Sequence, residues 1–577
     1  MLKSIFYYLD KNINYIGLFF LPILVLAIGN YYLSSSFIFW QYDSLEYHLK
    51  VSALSEFYSS NLDIIKSVYS NTFVAEYNNF YAIFLYPIVS FFPFSRHLYI
   101  SSVLLVFFIP VILVLRLFFK ETLSIKNNYI LFIISFLTII FVPFISPILQ
   151  GWPDIFGYIP LIFFYIMYFN SPIEERNYKS IILMSFLFYM PFLIRRIYIY
   201  EMIVFTLFVM LQFIYDFIYR KKINKTYLIN FFSKYFVFGL LIIIFALIFQ
   251  YKHIIRILSS SYGNLYVDYQ AINYNDHFMN LYYFVGKYYI FCAVLGAILG
   301  FFSKYRKITL FFAFNIVTIF FLFNLYQKMG VQHILDTIAL GVFVLNIIAI
   351  LCIINCVKRI ELKIIILFFI ILVSVFNFLS SIGLKNSNLA KYLVNNKIVP
   401  NMIPPVNNSL NEEIAIMQKV DNWFSNKNGN YMVLTHGDYI LSINFITYNF
   451  YYLNSWNNER NLFYSHLDAR DFINENIFRT KYIIMESTGK SLYREQKVVS
   501  IPFKEITKNK NNIGKAFKKT DFKYITSSGV EIWIYEKTRD FTKKEIVDFL
   551  NEFYNFYPDW RAKYENKIDY FYDTQRN

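Results

Sequence analysis

Long apolar runs separated by short polar segments fill the first two-thirds of the chain, and mixed, water-compatible sequence fills the rest. Runs close to the ~20 residues that cross a bilayer as a helix fall at roughly 14–34, 98–119, 128–148, 155–170, 179–195, 198–218, 229–250, 283–303, 308–326, 334–356 and 363–383. The pattern predicts an α-helical polytopic membrane protein with about eleven transmembrane helices. Lys3 and Lys11 precede the first run and no small-x-small cleavage site follows it, which predicts an uncleaved signal-anchor with a cytoplasmic N-terminus. An odd count of spans then puts everything beyond about Lys385 outside the cytoplasm.

Two stretches depart from this rhythm. Residues 35–97 form a half-polar first outer loop holding WQYDSLEYHL and AEYNNFYAIFLYPIVSFFPF, which Pro87 and Pro93 keep from being an ordinary span; interfacial amphipathic helices are expected there. After a transmembrane domain over 1–385, a linker over 386–408 with Pro400, Pro404 and Pro405 leads to a soluble α/β domain over 409–577. In that domain NYMVLTHGDY and TKYIIMES read as strands, FKYITSSGVEIWIYEK as a hairpin turning at Ser527–Gly529, and 409–426 and 542–566 as helices.

Charge tests the topology. Lysine and arginine outnumber acids 54 to 38, a formal +16, and the predicted inner loops hold about twice as many basic residues as the predicted outer loops, among them Arg220, Lys221, Lys222 and Lys225, then Lys304, Arg306 and Lys307. With 57% hydrophobic residues, this excess reads as loops facing anionic lipid rather than as a nucleic-acid surface. The three cysteines lie in apolar runs and make no disulfide framework. The basic exceptions on the outer side, Arg195, Arg196 and Lys328, stand where an anion would be held.

Read as a helix, DSLEYHLK sets Asp43, Glu46, Tyr47 and Lys50 on one face, beside His48, with Glu76 on a later helical face of the same loop. A carboxylate there can take the proton of an acceptor hydroxyl as it attacks an activated carbon. Asp43 is the candidate base, with Glu46 or Asp154, from QGWPDIFGY in the next outer loop, as the second acid; equally, Asp43 can cap its helix. Tyr47, His48 and Glu76 are candidate substrate contacts. Arg195 and Arg196 suit a phosphate through their bidentate forks, or anchor a span end among lipid headgroups. Lys328, Gln332 and His333 lie at the start of a span, where an anion is favoured, although His333 and Asp336 also suit a capping contact.

The order of a first span, then DSLEYHL in a long outer loop, then NNFYAIFLYP resembles the bacterial relatives of the dolichyl-phosphate-mannose protein mannosyltransferases. These are integral-membrane GT-C glycosyltransferases, as are the aminoarabinose transferases that modify lipid A. The resemblance covers residues 1 to about 385. It implies a polyprenyl-phosphate-linked sugar donor, inverting transfer to a hydroxyl of a lipid, glycan or protein acceptor, and Asp43 as the catalytic acid. Many members carry adjacent Asp-Glu; here Ser44 follows Asp43, so Glu46 does not inherit that neighbour's role.

No cofactor is required by this reading. Asp43, Asp154 and a water could hold a divalent metal, and Arg195 with Arg196 could replace it. His436, Gly437 and Asp438 suit a tight turn as well as a site, and the terminal domain is assigned no chemistry beyond binding or shielding the acceptor. The competing classes are a polysaccharide polymerase or ligase and a non-catalytic transporter or flippase of envelope lipids.

Overall fold

The computed structural model describes residues 2–34, 42–57, 60–75, 78–93, 95–220, 225–259, 274–325, 329, 331–382, 388–401, 410–425, 427, 429–434, 462–465, 472–487, 497–509, 511–527 and 529–576. They group into two compact units, Met1–Ser35 with Glu46–Val406 and Ser36–Leu45 with Asn407–Asn577.

The first unit is built of helices. Among the described residues six are long and apolar enough to cross a membrane: Arg96–Thr122, Arg196–Ile218, Lys225–Arg256, Arg306–Asn324, Ala339–Cys356 and Ile360–Ser381. Two bent pairs, Asn128–Ile139 with Val142–Leu149 at 45° and Asn275–Val285 with Lys287–Phe301 at 96°, raise the number to eight if each is one crossing. Reaching eleven requires the shorter apolar helices Phe19–Ser34, Asp154–Asn170 and Tyr178–Ile194 to cross as well. The breaks have local causes: Phe141 is extended and Pro143 stands in the first turn of the next helix, where a missing N–H costs nothing. The first loop folds as Tyr42–Phe57, Asn61–Val74 and the eight-residue Ala82–Val89.

Part of the expected linker belongs to this unit. The helix Asn388–Asn395 leads into a segment whose backbone pairs with the bend at residue 286: the N–H groups of Lys287 and Tyr288 donate to the carbonyls of Lys397 and Ile398, and that of Asn401 to Tyr283, each at 2.9 Å. Backbone bonds of this kind fix the chain, so residues 388–401 are an ordered return.

The second unit is a five-stranded sheet in the order β2-β1-β3-β5-β4, with β1 Tyr431–Leu434, β2 Leu462–Tyr464, β3 Tyr482–Glu486, β4 Phe517–Ile525 and β5 Glu531–Lys537. β1 is parallel to both β2 and β3, and β5 is antiparallel to β3 and β4. Strands buried on both faces read as continuous apolar runs, as YMVL and YIIM do. One face packs on Ile546, Phe549 and Phe553 of the helix Lys543–Tyr554, the other on Ile416, Val420 and Phe424 of Leu410–Phe424. The hairpin turns where the sequence predicts, with Gly529 at φ 81°, a conformation open to glycine at no steric cost.

Two carboxyls in this unit respond to pH in opposite ways. Glu545 closes a capping box with Thr542 and pairs with Arg539 at 2.6 Å; Arg539 chiefly holds its carboxyl down at about 2. Glu505 is buried beside Glu552, both accepting from the Asn512 amide at 2.6 and 3.1 Å, and burial first, then the Glu552 charge, pushes it up to about 9. An acid whose folded value is raised binds a proton in the fold that the unfolded chain has lost, so this contribution falls as pH rises from about 4.5 to 9. Glu505→Gln is expected to stabilise the domain by about 1–3 kcal/mol at pH 8 and to have little effect at pH 5. Urea midpoints read by pulsed hydrogen exchange of β3 and β5, labelled at one fixed pH, check this; equal gains at both pH values would contradict it.

Candidate functional site

Three charged side chains from three interruptions of the helical unit meet in its interior. Asp154 opens the 3-10 turn Asp154–Gly157 ahead of Tyr158–Asn170. Arg195 is the extended residue that ends Tyr178–Ile194, a helix carrying Pro191 in its last turn. Asp336 ends the short helix Val331–Asp336, ahead of the candidate span at Ala339. The Arg195 Nε lies 3.3 Å from Asp154 Oδ1 and 4.0 Å from Asp336 Oδ2. All three are buried, at 7%, 1% and 0% exposure.

Two carboxyls around one guanidinium leave an excess negative charge where water cannot screen it. Neither oxygen of Asp336 has a hydrogen-bond partner among the described residues. Burial pushes its carboxyl well above the usual carboxylate range and the Asp154 charge adds to this, while Arg195 opposes it. The cluster therefore sets one guanidinium between two buried carboxyls, Asp154 the nearer, with burial and the Asp154 charge favouring a proton on Asp336.

Aromatic groups build the walls. The Arg195 guanidinium lies over the rings of Tyr47 at 5.3 Å and Trp152 at 5.4 Å, where a planar cation is stabilised by the ring faces. Tyr47 packs edge-on to Trp152 and Tyr81. The Tyr81 hydroxyl donates to the Tyr47 carbonyl at 2.8 Å, Tyr99 to Gly151 at 3.0 Å and Tyr198 to Asp154 at 2.9 Å, pinning the backbone of Asp154 and of two wall segments. Gly157 leaves room for Tyr198, since a Cβ there would sit 2.5 Å from its ring. Gly157→Ala is expected to cost about 1–3 kcal/mol through this overlap, read as a lower thermal midpoint in detergent.

The other sequence candidates are dispersed. Asp43 occupies the first turn of Tyr42–Phe57, and its side chain lies outside the described residues, as do Glu76, Lys328, His436, Gly437, Asp438 and the side chain of Gln332. Glu46 pairs with Lys50 at 2.7 Å on the partly exposed flank of the helix. His48 is buried, stacked on Tyr99, with Nε2 2.8 Å from the Pro93 carbonyl. That carbonyl can only accept, so Nε2 carries the proton. Desolvation lowers the imidazole to about 3, and His48, with Ser52 bonding the same carbonyl, ties the helix to the Pro93 loop. Arg195 and Arg196 do not form a joint fork: Arg195 is buried, whereas Arg196 is half-buried in the following 3-10 turn. The His333 ring packs on Phe323 at 4.9 Å, while Asp336, its expected capping partner, faces Arg195.

No group of three or more His, Cys, Asp or Glu side chains converges among the described residues. A hard divalent cation needs about six oxygens, and Asp154 and Asp336 share a guanidinium instead, so the described residues do not fit a metal.

Asp336 and Trp152 are the site residues that sequence reasoning leaves out of its candidate set. An acid inside the start of the apolar run over 334–356 and the tryptophan of QGWPD carry the signal only in retrospect, because each also suits a helix end. Neither protein-family models nor curated proteins match the chain.

Proposed function

We propose that the chain is a multi-pass membrane glycosyltransferase that takes a sugar from a polyprenyl phosphate and passes it, with inversion, to a hydroxyl of a lipid, glycan or protein acceptor. It would act on the outer face of a bacterial inner membrane, with eleven crossings, a cytoplasmic N-terminus and an extracytoplasmic terminal domain. The observation that carries the reading is the buried Arg195 held by Asp154 and Asp336 beneath Tyr47 and Trp152. A phosphate leaving group gains negative charge during transfer, and a guanidinium preorganised in a dry site stabilises that charge most. Here the donor phosphate exchanges with a carboxyl at Arg195, and the Asp336 acid supplies a hydrogen bond to it. Asp43 keeps the role of base on the sequence argument, and Tyr47 and Trp152 offer flat apolar surface to the sugar.

One observation favours a carrier of envelope lipids as the second reading. Glu201, buried near the start of Arg196–Ile218, accepts from the Tyr165 hydroxyl and the Asn315 amide at 2.7 Å each, and acids at such depth are common on transport paths. The two readings part in one experiment. Purified protein in nanodiscs is incubated with a panel of undecaprenyl-phosphate sugars and envelope extract, and free undecaprenyl phosphate is followed by mass spectrometry. Release dependent on acceptor and lost in Asp154→Asn supports transfer; redistribution of intact lipid between leaflets without release overturns it.

A further inference from the structure

One helix of the first unit turns across the end of the bundle. The apolar Lys287–Phe301, about 22 Å long at 1.5 Å per residue, runs beside the candidate span Ala339–Cys356: Gly296 lies against the Leu345 carbonyl and Gly300 against Ile348, positions with no room for a Cβ. The preceding Asn275–Val285 meets it at 96°. A helix perpendicular to one that crosses a bilayer lies in the plane of the surface. The angle is built in. Gly286 turns at φ 88°, a region that favours glycine, and a Cβ there would sit 2.7 Å from the Pro400 ring. The backbone bonds at Lys287, Tyr288 and Asn401 strap residues 397–401 across the bend.

The two sides of this in-plane helix differ. His277, Leu281 and Val285 are buried, at i, i+4 and i+8, whereas Met279 is 39% exposed and Tyr282 half-buried. Two ammonium groups stand over the open side: Lys287 Nζ is 5.7 Å from the centre of the Tyr282 ring, and Lys397 Nζ is 3.8 Å from Met279 Sδ. The strap helix Asn388–Asn395 repeats the pattern, with Ala390 buried and Leu389 and Tyr392 exposed at 55% and 59% beside the exposed Lys391. Over 274–301 and 388–401 three lysines stand against a single acid, Asp276. Uncovered apolar side chains next to an excess of cations suit the boundary of an anionic bilayer. There the apolar groups enter the acyl region while the ammonium groups stay among the phosphates.

We propose that this bend and its strap dock on anionic phospholipid, with Met279, Tyr282, Leu389 and Tyr392 in the acyl boundary and Lys287, Lys391 and Lys397 on headgroup phosphates. The inference does not rest on the transferase reading and holds equally for a carrier. The test uses the full chain in phosphatidylcholine nanodiscs doped with a diazirine-bearing acyl probe on either phosphatidylglycerol or phosphatidylcholine, and cross-linked peptides are mapped by mass spectrometry. Both probes are expected to label 278–282 and 389–392, the phosphatidylglycerol probe at least about five-fold more, and the excess is expected to shrink at high salt. Residues 368–376 of Ile360–Ser381, where Phe368, Phe369, Leu372 and Phe376 are exposed, serve as the reference and are labelled equally by both. Lys287→Gln combined with Lys397→Gln is expected to remove most of the excess at an unchanged thermal midpoint. If that pair unfolds the protein, Lys391→Glu, on the exposed side of the strap, is expected to lower the excess at a native midpoint. Equal labelling by the two probes, an excess indifferent to these lysines, or no labelling of either segment while 368–376 is labelled overturns the proposal; the last result gives the face to water or to another protein.

Discussion

Arg195→Met is expected to abolish transfer and to destabilise the helical unit by about 3–5 kcal/mol, because it leaves Asp154 and Asp336 buried without their cation. A methionine fills much of the same volume, so the loss reports charge rather than a cavity. Adding Asp154→Asn to Arg195→Met removes the stranded carboxylate and is expected to restore most of the stability while leaving transfer dead. A double-mutant cycle on thermal midpoints in detergent isolates the coupling; additive effects would mean that the ion pair contributes nothing. Arg195→Lys separates the two roles, since a lysine keeps the charge but loses the planar fork and the stacking on Tyr47 and Trp152. It is expected to fold with a near-normal midpoint and to transfer poorly.

The second large effect is expected at Asp43. The helix begins at Tyr42, so Asp43 stands within its first turn and is not the cap that the sequence also allowed; Asp43→Asn keeps the shape of the side chain and removes a base. If the residue is the base, transfer falls by about 10²–10⁴-fold with the midpoint unchanged. Asp43→Ala is expected to give the same loss of turnover. Normal turnover by Asp43→Asn, measured as undecaprenyl phosphate released, would remove Asp43 from the mechanism and leave Asp154 as the remaining carboxylate.

The helices of the first unit were legible because an apolar run of about 20 residues has one economical fate as structure, a helix that satisfies its own backbone. An interruption was legible at Pro87 in the first outer loop, whereas the break at Phe141 ahead of Pro143 fell inside a run read as one span, because a proline in the first turn of a helix leaves the apolar run unbroken. The terminal sheet was legible in its strands and its hairpin, since continuous apolar runs and the Ser-Ser-Gly turn are local signals. The placement of residues 388–401 was not, because the prolines that suggest a linker say nothing about the backbone bonds at Lys287 and Tyr288 that hold this segment.

The candidate site divides in the same way. Asp154 and Arg195 were visible as charges where apolar sequence gives way, because the cost of burying an ion draws attention to any ion kept there. The sequence by itself determined a helical, largely apolar chain with a separate α/β unit, and a short set of charged residues at helix ends. Tertiary structure alone decided that Asp154, Arg195 and Asp336, from segments as far apart as residues 154 and 336, share one buried cluster, and that Arg196 does not join it. The reason is physical: periodicity fixes which residues share a face within one helix, whereas the pairing of helix ends depends on packing between segments, which no local pattern encodes.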